Sequence, residues 1–244
     1  MHPIFSKTVW IILFLIALTL PASSLIEADF VADLRDDRSH HDRISNHKLE
    51  MLFSRRLHPF SRSKISAFSK HFLKLCSYHR FDPVFILSVI DVESRFLVKA
   101  RSEVGALGLM QMMPDTAQFV ADELDFHLSG LEKLPREEIE ERLQIKDEKT
   151  LSDPFINTAL GISYLAWLRD HYQGSPFRML AAYFVGPARM DELLTRKSFK
   201  PVQTQEYFNA VRQRVPRFSK VLRRARMPME CLVDLQKEGC YLEL

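Results

Sequence analysis

A lone carboxylate in an apolar stretch is the first feature of this chain that could do chemistry. Glu93 follows the mainly apolar run "PVFILSVIDV", and two of the chain's seven glycines, Gly105 and Gly108, come shortly after it. A carboxyl group at the end of a buried helix loses solvation and lies near the negative end of the helix dipole, and both effects raise its pKa. Such a group can act as a general acid. The alternative is an exposed glutamate paired with Arg95 or Arg101.

A second acid is not evident, although glycoside hydrolases usually carry two carboxylates. Asp91 lies two residues before Glu93, so on a helix it points to nearly the opposite side. Asp115 and Asp122 lie on a later helix, with no reason to face Glu93. A site with one carboxylate must take its nucleophile from elsewhere, for example from the substrate itself.

The elements that must position these residues are predicted to be helices. Hydrophobic residues make up 46% of the 244 residues and often recur at spacings of three and four, which favours a mainly α fold. One such stripe is Ile65, Phe68, Phe72 and Cys76. Asp82 and Pro83 are suited to begin the helix that ends near Glu93.

Further helix boundaries follow from proline, glycine and capping residues. Pro114 lies early in one helix, and the helix opened by Asp153 and Pro154 is predicted to end at Gly174. A short apolar helix ends at Gly186, and a long basic helix over 204–226 is predicted to be interrupted by Pro216. In the charged segment 126–150, whose role the sequence leaves open, residues 135–145 predict a surface helix.

The N-terminus has the composition of an export signal. Lys7 precedes the apolar run 9–20 and the small residues of "PASS", which predicts a signal peptide over 1–24, the alternative being an uncleaved membrane anchor. Residues 25–62 predict a polar linker with short helical pieces, and its histidines indicate a solvated segment more than a metal site. They are His40, His41, His47 and His58.

The cysteines and the charge bound the function further. Cys76 is expected to be a small core residue, whereas Cys231 and Cys240 in the tail 227–244 either form a disulfide in an oxidising compartment or remain thiols. No cysteine and histidine spacing matches a zinc site. The net charge of +3 is too small to imply nucleic acid, and no nucleic-acid motif occurs in the sequence. The basic helix predicts a solvated face, the alternative being contact with an anionic wall polymer or a membrane surface.

Several sequence blocks in order resemble the soluble lytic murein transglycosylases, a goose-type-lysozyme-like family that cuts bacterial peptidoglycan. The blocks are "ES" at 93–94, "SEVGALGLMQMMPDTA" at 102–117, "DPFINTALGISYLAWL" at 153–168, "AAYFVGP" at 181–187 and "TQEYFNAV" at 204–211. The resemblance covers about residues 65–225 and implies a lysozyme-like helical domain with a cleft, within the predicted domain 63–226.

The resemblance implies a mechanism with one glutamate. Glu93 would protonate the glycosidic oxygen between MurNAc and GlcNAc and then accept the proton of the MurNAc 6-hydroxyl, which attacks C1 and leaves a 1,6-anhydro end. Tyr207 would orient Glu93 or stabilise developing charge. Substrate contacts would come from Ser94, Ser102, Gln111, Met113 and Tyr183. The implied partner is the glycan strand of peptidoglycan in the periplasm, and no cofactor is implied.

The chain departs from the family pattern at one place. Phe184 and Val185 stand where the family usually has asparagine and alanine, and phenylalanine cannot make the hydrogen bonds of asparagine. Three hypotheses follow: an active lytic transglycosylase, a muramidase that uses water, or a peptidoglycan-binding scaffold that has lost turnover. A carboxylate opposite Glu93 would favour the muramidase, and a cleft blocked around Phe184 would favour the scaffold.

Overall fold

The computed structural model describes residues 44, 46–58, 60–123, 147–195 and 202–222, and these residues are mainly helical. The helices are α1 Asn46–Arg56, α2 Arg62–Tyr78, α3 Pro83–Glu93, α4 Pro114–Glu123, α5 Glu148–Leu151, α6 Pro154–His171, α7 Pro176–Val185, α8 Pro187–Thr195 and α9 Val202–Leu222. Isolated β bridges join Arg101 with Leu107 and Leu107 with Met112. The predicted mainly α fold is confirmed.

Helix α3 is the central element, and it ends at Glu93. Its N-cap, Asp82, accepts a hydrogen bond from the Val84 amide at 2.7 Å, and Pro83 opens the helix as predicted. Every residue from Pro83 to Asp91 is buried. Because α3 is enclosed by its neighbours, its C-terminal end delivers the Glu93 side chain to a site inside the domain.

Helix α9 packs along α3 and α7 and carries Tyr207 to Glu93. The predicted interruption at Pro216 is wrong, because α9 runs without a break from Val202 to Leu222. Pro216 lies on the exposed face of the helix, next to exposed Arg212 and Arg217. The Arg212 carbonyl, which loses its helical amide partner at a proline, can therefore be hydrated. The buried residues on the other face hold the helix together on both sides of the proline.

Helix α1 extends the domain into the range predicted to be a linker. Its Leu49 and Phe53 are fully buried, and the Phe53 ring packs edge-on against Phe68 and Phe72 of α2 at centroid distances of 4.9 and 5.5 Å. Two apolar residues one helical turn apart are enough to dock a short helix whose other residues are polar. Residues 46–56 are therefore part of the packed domain and not a free linker.

The remaining boundaries agree closely with the sequence. Asp153 caps α6, with its carboxylate accepting from the Phe155 amide at 2.9 Å, and α6 ends at His171, three residues before Gly174. Helix α7 ends at Gly186, and Cys76 is fully buried on α2. The apolar stripe predicted for α2 is buried throughout.

Several predictions fall on residues outside the described ranges. They concern the signal peptide 1–24, most of the linker, the surface helix 135–145, and the cysteines Cys231 and Cys240 of the tail. Of the four linker histidines, His47 and His58 are described and are exposed. No cluster of three or more metal-ligating side chains occurs in the described part of the chain. None of the helices described here is both long and apolar enough to span a membrane.

Candidate active site

The site is built around a hydrogen bond between Glu93 and Tyr207. The Tyr207 hydroxyl donates to Oε1 of Glu93, joining the end of α3 to the second turn of α9. Tyr207 is 7% exposed, and Glu93 is of intermediate exposure, so an edge of the glutamate can still be reached from outside. The structure therefore brings together the two residues that were predicted to be catalytic.

Burial gives Glu93 the protonation behaviour of an acid catalyst. Desolvation raises the pKa of Glu93 from 4.5 to about 7, although the hydrogen bond from Tyr207 acts in the opposite direction. Burial also raises the pKa of Tyr207 well above 10, and the nearby Glu93 adds to this rise. Tyr207 therefore keeps its proton and stays a hydrogen-bond donor while Glu93 exchanges its own near neutral pH.

The alternative partners of Glu93 are engaged elsewhere or lie outside the site. Arg101 pairs with Glu148 at 2.5 Å, and Arg95 is exposed in the turn after α3. Asp91 is engaged by cations, since its carboxylate accepts from Nε of Arg214 at 2.7 Å and lies 3.8 Å from Arg56. Within the described residues, no second carboxylate contacts Glu93. The missing second acid is thus a property of the described site.

A strained turn follows Glu93 and fixes where α3 ends. Arg95 and Phe96 have positive backbone φ angles of 51° and 65°, which residues other than glycine seldom adopt. The Phe96 ring is buried against Phe218 of α9, with ring centroids 5.9 Å apart. Packing of Phe96 against α9 therefore holds a turn that the local sequence would not favour by itself. Sequence reasoning missed this residue, whose only signal was a large apolar side chain after a polar pair.

Ser94 has a structural position. It is 4% exposed, and its hydroxyl donates to the Ile90 carbonyl at 3.1 Å and accepts from the Phe96 amide at 3.2 Å. Both hydrogen bonds close the C-terminal end of α3. This arrangement fits support of the turn beside Glu93 in place of the predicted substrate contact.

The loop between α3 and α4 is held close to α6 by an asparagine. Oδ1 of Asn157 accepts from the Met110 amide at 2.7 Å, and its Nδ2 donates to the Leu107 and Leu151 carbonyls at 2.9 and 2.8 Å. Asn157 is fully buried, so these three bonds satisfy its carboxamide inside the core. Sequence reasoning assigned no role to Asn157, although it lies in the block at 153–168. The available signal was a polar amide side chain on a mainly apolar helix.

Gly108 allows that close approach. Its φ is +79°, and a Cβ added there would lie 2.4 Å from Nδ2 of Asn157 and 2.6 Å from the Leu151 carbonyl oxygen. Gly105 differs, since its φ is +92° but the space around an added Cβ is open. The two glycines therefore serve the turn of the loop, and Gly108 also serves its packing on α6.

Tyr183 ties the same loop to α7. Its hydroxyl donates to the Met110 carbonyl at 2.7 Å and lies 3.6 Å from Sδ of Met112. Burial and the charge of Glu93 raise its pKa well above 10. Tyr183 is therefore close enough to Glu93 to feel its charge, and its hydroxyl is occupied by the loop backbone, so its predicted substrate contact stays a prediction.

Three further predicted substrate residues lie on this loop. Ser102 accepts from the Ala106 amide at 2.9 Å, and Gln111, with a φ of +50°, donates from Nε2 to the Gly108 and Ala100 carbonyls at 3.0 and 3.3 Å. No donor among the described residues reaches Oε1 of Gln111, which leaves an acceptor for a ligand. Met113 is 39% exposed and offers an apolar surface.

Phe184, the departure from the family pattern, lies against Tyr207. The two rings are stacked, with centroids 5.0 Å apart and an angle of 17° between their planes. Phe184 remains 47% exposed. The bulk of the phenylalanine is therefore accommodated without displacing Tyr207 from Glu93.

The family model described as the transglycosylase SLT domain matches residues 72–205, more than half of the chain. A Haemophilus influenzae protein named as a soluble lytic murein transglycosylase is 27% identical over 135 residues, which cover 55% of this chain and 20% of that relative. Membrane-bound lytic murein transglycosylase C of Histophilus somni is 32% identical over 120 residues, covering 46% of this chain and 29% of that relative.

Solved structures give a weaker likeness. The lytic transglycosylase Slt of Pseudomonas aeruginosa has a TM-score of 0.49 and 21% identity, covering 70% of this chain and 27% of that protein. The chain spans less than a third of the length of each of these three proteins. The family model, by contrast, covers the helices that carry Glu93, the Gly108 loop, Asn157 and Phe184. The chain belongs to the transglycosylase SLT domain family.

Proposed function

We propose that this chain is a lytic transglycosylase, which cleaves the β-1,4 bond between MurNAc and GlcNAc in peptidoglycan and leaves a 1,6-anhydro end on MurNAc. The observation that carries the proposal is the buried acid Glu93, held by the Tyr207 hydroxyl at the end of α3. Membership of the transglycosylase SLT domain family supports it. The relatives named as lytic murein transglycosylases support the same chemistry.

The first step is protonation of the leaving group. Glu93, protonated below its pKa of about 7, gives its proton to the glycosidic oxygen while the bond from C1 of MurNAc to that oxygen breaks. The GlcNAc residue leaves with a free 4-hydroxyl, and positive charge develops at C1 and the ring oxygen of MurNAc. Participation of the MurNAc N-acetyl oxygen would stabilise this charge without a second carboxylate.

The second step closes the anhydro ring. The ionised Glu93 accepts the proton of the MurNAc 6-hydroxyl while the oxygen of that hydroxyl attacks C1, so the glutamate returns to its protonated form. Tyr207 supports both steps, because its neutral hydroxyl stabilises the carboxylate formed between them. A nucleophile within the substrate also fits the absence of a second carboxylate around Glu93 among the described residues.

The muramidase alternative requires a group that activates water. Asp91 is the nearest carboxylate in sequence, and it is paired with Arg214 and Arg56 and not with Glu93. The scaffold alternative requires that the hydrogen bond between Tyr207 and Glu93, or access to it, is lost. Phe184 leaves the Tyr207–Glu93 hydrogen bond in place, which favours turnover over the scaffold.

The same proposal assigns the protein to the cell envelope. The predicted signal peptide and a substrate in the wall both favour export to the periplasm, either as a free protein or held by the N-terminal segment. The glycan strand of peptidoglycan is the proposed partner. Exposed cations on α9, among them Arg212, Arg217 and Lys220, are predicted to lie in solvent, whereas Arg214 pairs with buried Asp91.

Mass spectrometry of peptidoglycan digests tests the function. Purified peptidoglycan is incubated with the wild type, with Glu93→Gln, and with Glu103→Gln as a control that makes the same change at an exposed position. We expect anhydro-muropeptides from the wild type and the control, and none from Glu93→Gln. Reducing-end muropeptides would contradict the proposal in favour of a muramidase. No products from a folded wild type that sediments with peptidoglycan would contradict it in favour of a scaffold.

A further inference from the structure

The exposed surface of Phe184 is not explained by the packing of the domain. One face of its ring is covered by Tyr207, yet 47% of the side chain remains open to solvent at the end of α7. The adjacent Tyr183 anchors the Met110 carbonyl, so the end of α7 is fixed against the loop that carries Gln111 and Met113. An aromatic ring stacked on the tyrosine that binds the acid, and left half open, is suited to contact a ligand.

The neighbouring contacts fix where that ligand would lie. The Phe184 and Tyr207 rings are nearly parallel at 5.0 Å, and the Tyr207 hydroxyl reaches Oε1 of Glu93. A ring placed on the open face of Phe184 would therefore lie on the far side of Phe184 from Tyr207, at the exposed edge of the site that holds Glu93. Because Tyr207 is 7% exposed and bound on both its face and its hydroxyl, Phe184 cannot move toward it without a clash.

We propose that Phe184 is a stacking platform for an N-acetylated hexose ring at the exposed edge of the Glu93 site, on the face of Phe184 turned away from Tyr207, and that it determines sugar affinity at this position. The ring of a β-linked pyranose presents C–H groups on its faces, which pack on an aromatic surface, while its hydroxyl and N-acetyl groups point outward to polar partners. Oε1 of Gln111 is an acceptor available for these groups. The inference rests on the proposed function only for the identity of the sugar, and it assigns to the departing residue a contact that asparagine could not make.

A platform and a purely structural cover for Tyr207 predict different measurements. If Phe184 touches the sugar, its loss weakens binding and raises KM, while the pH at which Glu93 titrates stays unchanged. If Phe184 acts only by holding Tyr207, its loss lowers kcat and shifts that pH, because the Tyr207 hydrogen bond affects the pKa of Glu93.

The experiment uses the full chain with Phe184→Asn, Phe184→Leu and Phe184→Tyr. Tyr78→Asn is the matched control, since Tyr78 is another half-exposed aromatic residue (49%) and lies near the opposite end of α3 from Glu93. Binding of an N-acetylglucosamine oligomer is measured by calorimetry in the Glu93→Gln background. Turnover of peptidoglycan is measured as kcat, KM and their pH dependence with Glu93 intact.

The expected result is graded by the side chain at 184. We expect Phe184→Asn and Phe184→Leu to weaken oligomer binding by about three- to tenfold, the range that one aromatic contact supplies, and to raise KM similarly. Phe184→Tyr and Tyr78→Asn should bind like the wild type. The position at which activity falls with pH should not move in any of these variants.

Three outcomes would overturn the inference. They are oligomer binding that is unchanged in Phe184→Asn, oligomer binding that is absent from Glu93→Gln with Phe184 intact, and a shift of the pH profile with no change in affinity. The inference and the proposed function fail separately. Anhydro products together with unchanged affinity would remove the platform and keep the enzyme, whereas affinity that depends on Phe184 without any anhydro product would do the reverse.

Discussion

Replacing Glu93 by glutamine should remove a pH-dependent loss of stability from the folded protein. Glutamine has nearly the shape of glutamate and an oxygen that can still accept from Tyr207, but it does not ionise. Burial raises the pKa of Glu93 from 4.5 to about 7 in the folded state. The comparison of the two proteins therefore isolates the desolvation of one carboxyl group.

The direction of the effect follows from the two pKa values of the glutamate. Below pH 4.5 the group is protonated in both the folded and the unfolded chain, and its contribution to stability is fully present. Between pH 4.5 and 7 the unfolded chain ionises while the folded chain keeps the proton, so the free energy of unfolding falls as pH rises. Above pH 7 both states are ionised and the loss is complete. Each pKa unit corresponds to about 1.4 kcal/mol, so the total loss is about 3 kcal/mol.

Urea denaturation followed by circular dichroism at several pH values between 4 and 8 measures this loss. A loss of a few kcal/mol is readily detected, since the free energy of unfolding of a protein is typically about 5–15 kcal/mol. We expect the wild type to lose about 3 kcal/mol relative to Glu93→Gln across this range. Glu103→Gln, at an exposed position, should run parallel to the wild type. A constant difference between the wild type and Glu93→Gln would refute the claim that Glu93 is desolvated, and with it the acid role near neutral pH.

Four further predictions concern the pH dependence of activity and the contacts of Tyr207, Gly108 and Asp91. Activity (kcat/KM) should fall as pH rises through about 7. Tyr207→Phe should reduce kcat by about tenfold or more and move that fall to higher pH, because the variant loses a hydrogen bond that lowers the pKa of Glu93. A fall at unchanged or lower pH in Tyr207→Phe would contradict this. Gly108→Ala should lower the free energy of unfolding by about 2 kcal/mol or more, and Gly105→Ala by about 1 kcal/mol, because only a Cβ at position 108 would contact neighbouring atoms. Equal losses of stability in urea denaturation would argue against the close approach of Gly108 to α6. Arg214→Met should destabilise the domain by about 3 kcal/mol because it removes the 2.7 Å partner of buried Asp91, and a loss below about 1 kcal/mol would mean that the pair is not needed.

Local chemistry in the sequence accounts for the helices and for the identity of the acid. Asp82, Pro83, Asp153 and Pro154 satisfy or replace backbone donors at helix starts, an effect confined to one turn, so their positions alone predict where α3 and α6 begin. The apolar content of α3 likewise predicts that it is buried and that Glu93 at its end is desolvated. The order of the sequence blocks between residues 93 and 211 indicated the family, and the match of the transglycosylase SLT domain model to residues 72–205 then established it.

Only the tertiary structure decided which residues meet. Tyr207 follows Glu93 by more than a hundred residues, and no local rule gives the orientation of α9 on α3 that joins them. The contacts of Ser94 and Phe184 were likewise not given by the sequence. The Ser94 hydroxyl binds the backbone at the end of α3, and the Phe184 ring stacks on Tyr207 without blocking its hydrogen bond to Glu93. The docking of α1 and the continuity of α9 through Pro216 also depended on burial by distant partners. Caps and helical periodicity are interactions between near neighbours in the chain, which a sequence displays directly. The site arises from packing between distant segments, whose geometry exists only once the core has formed.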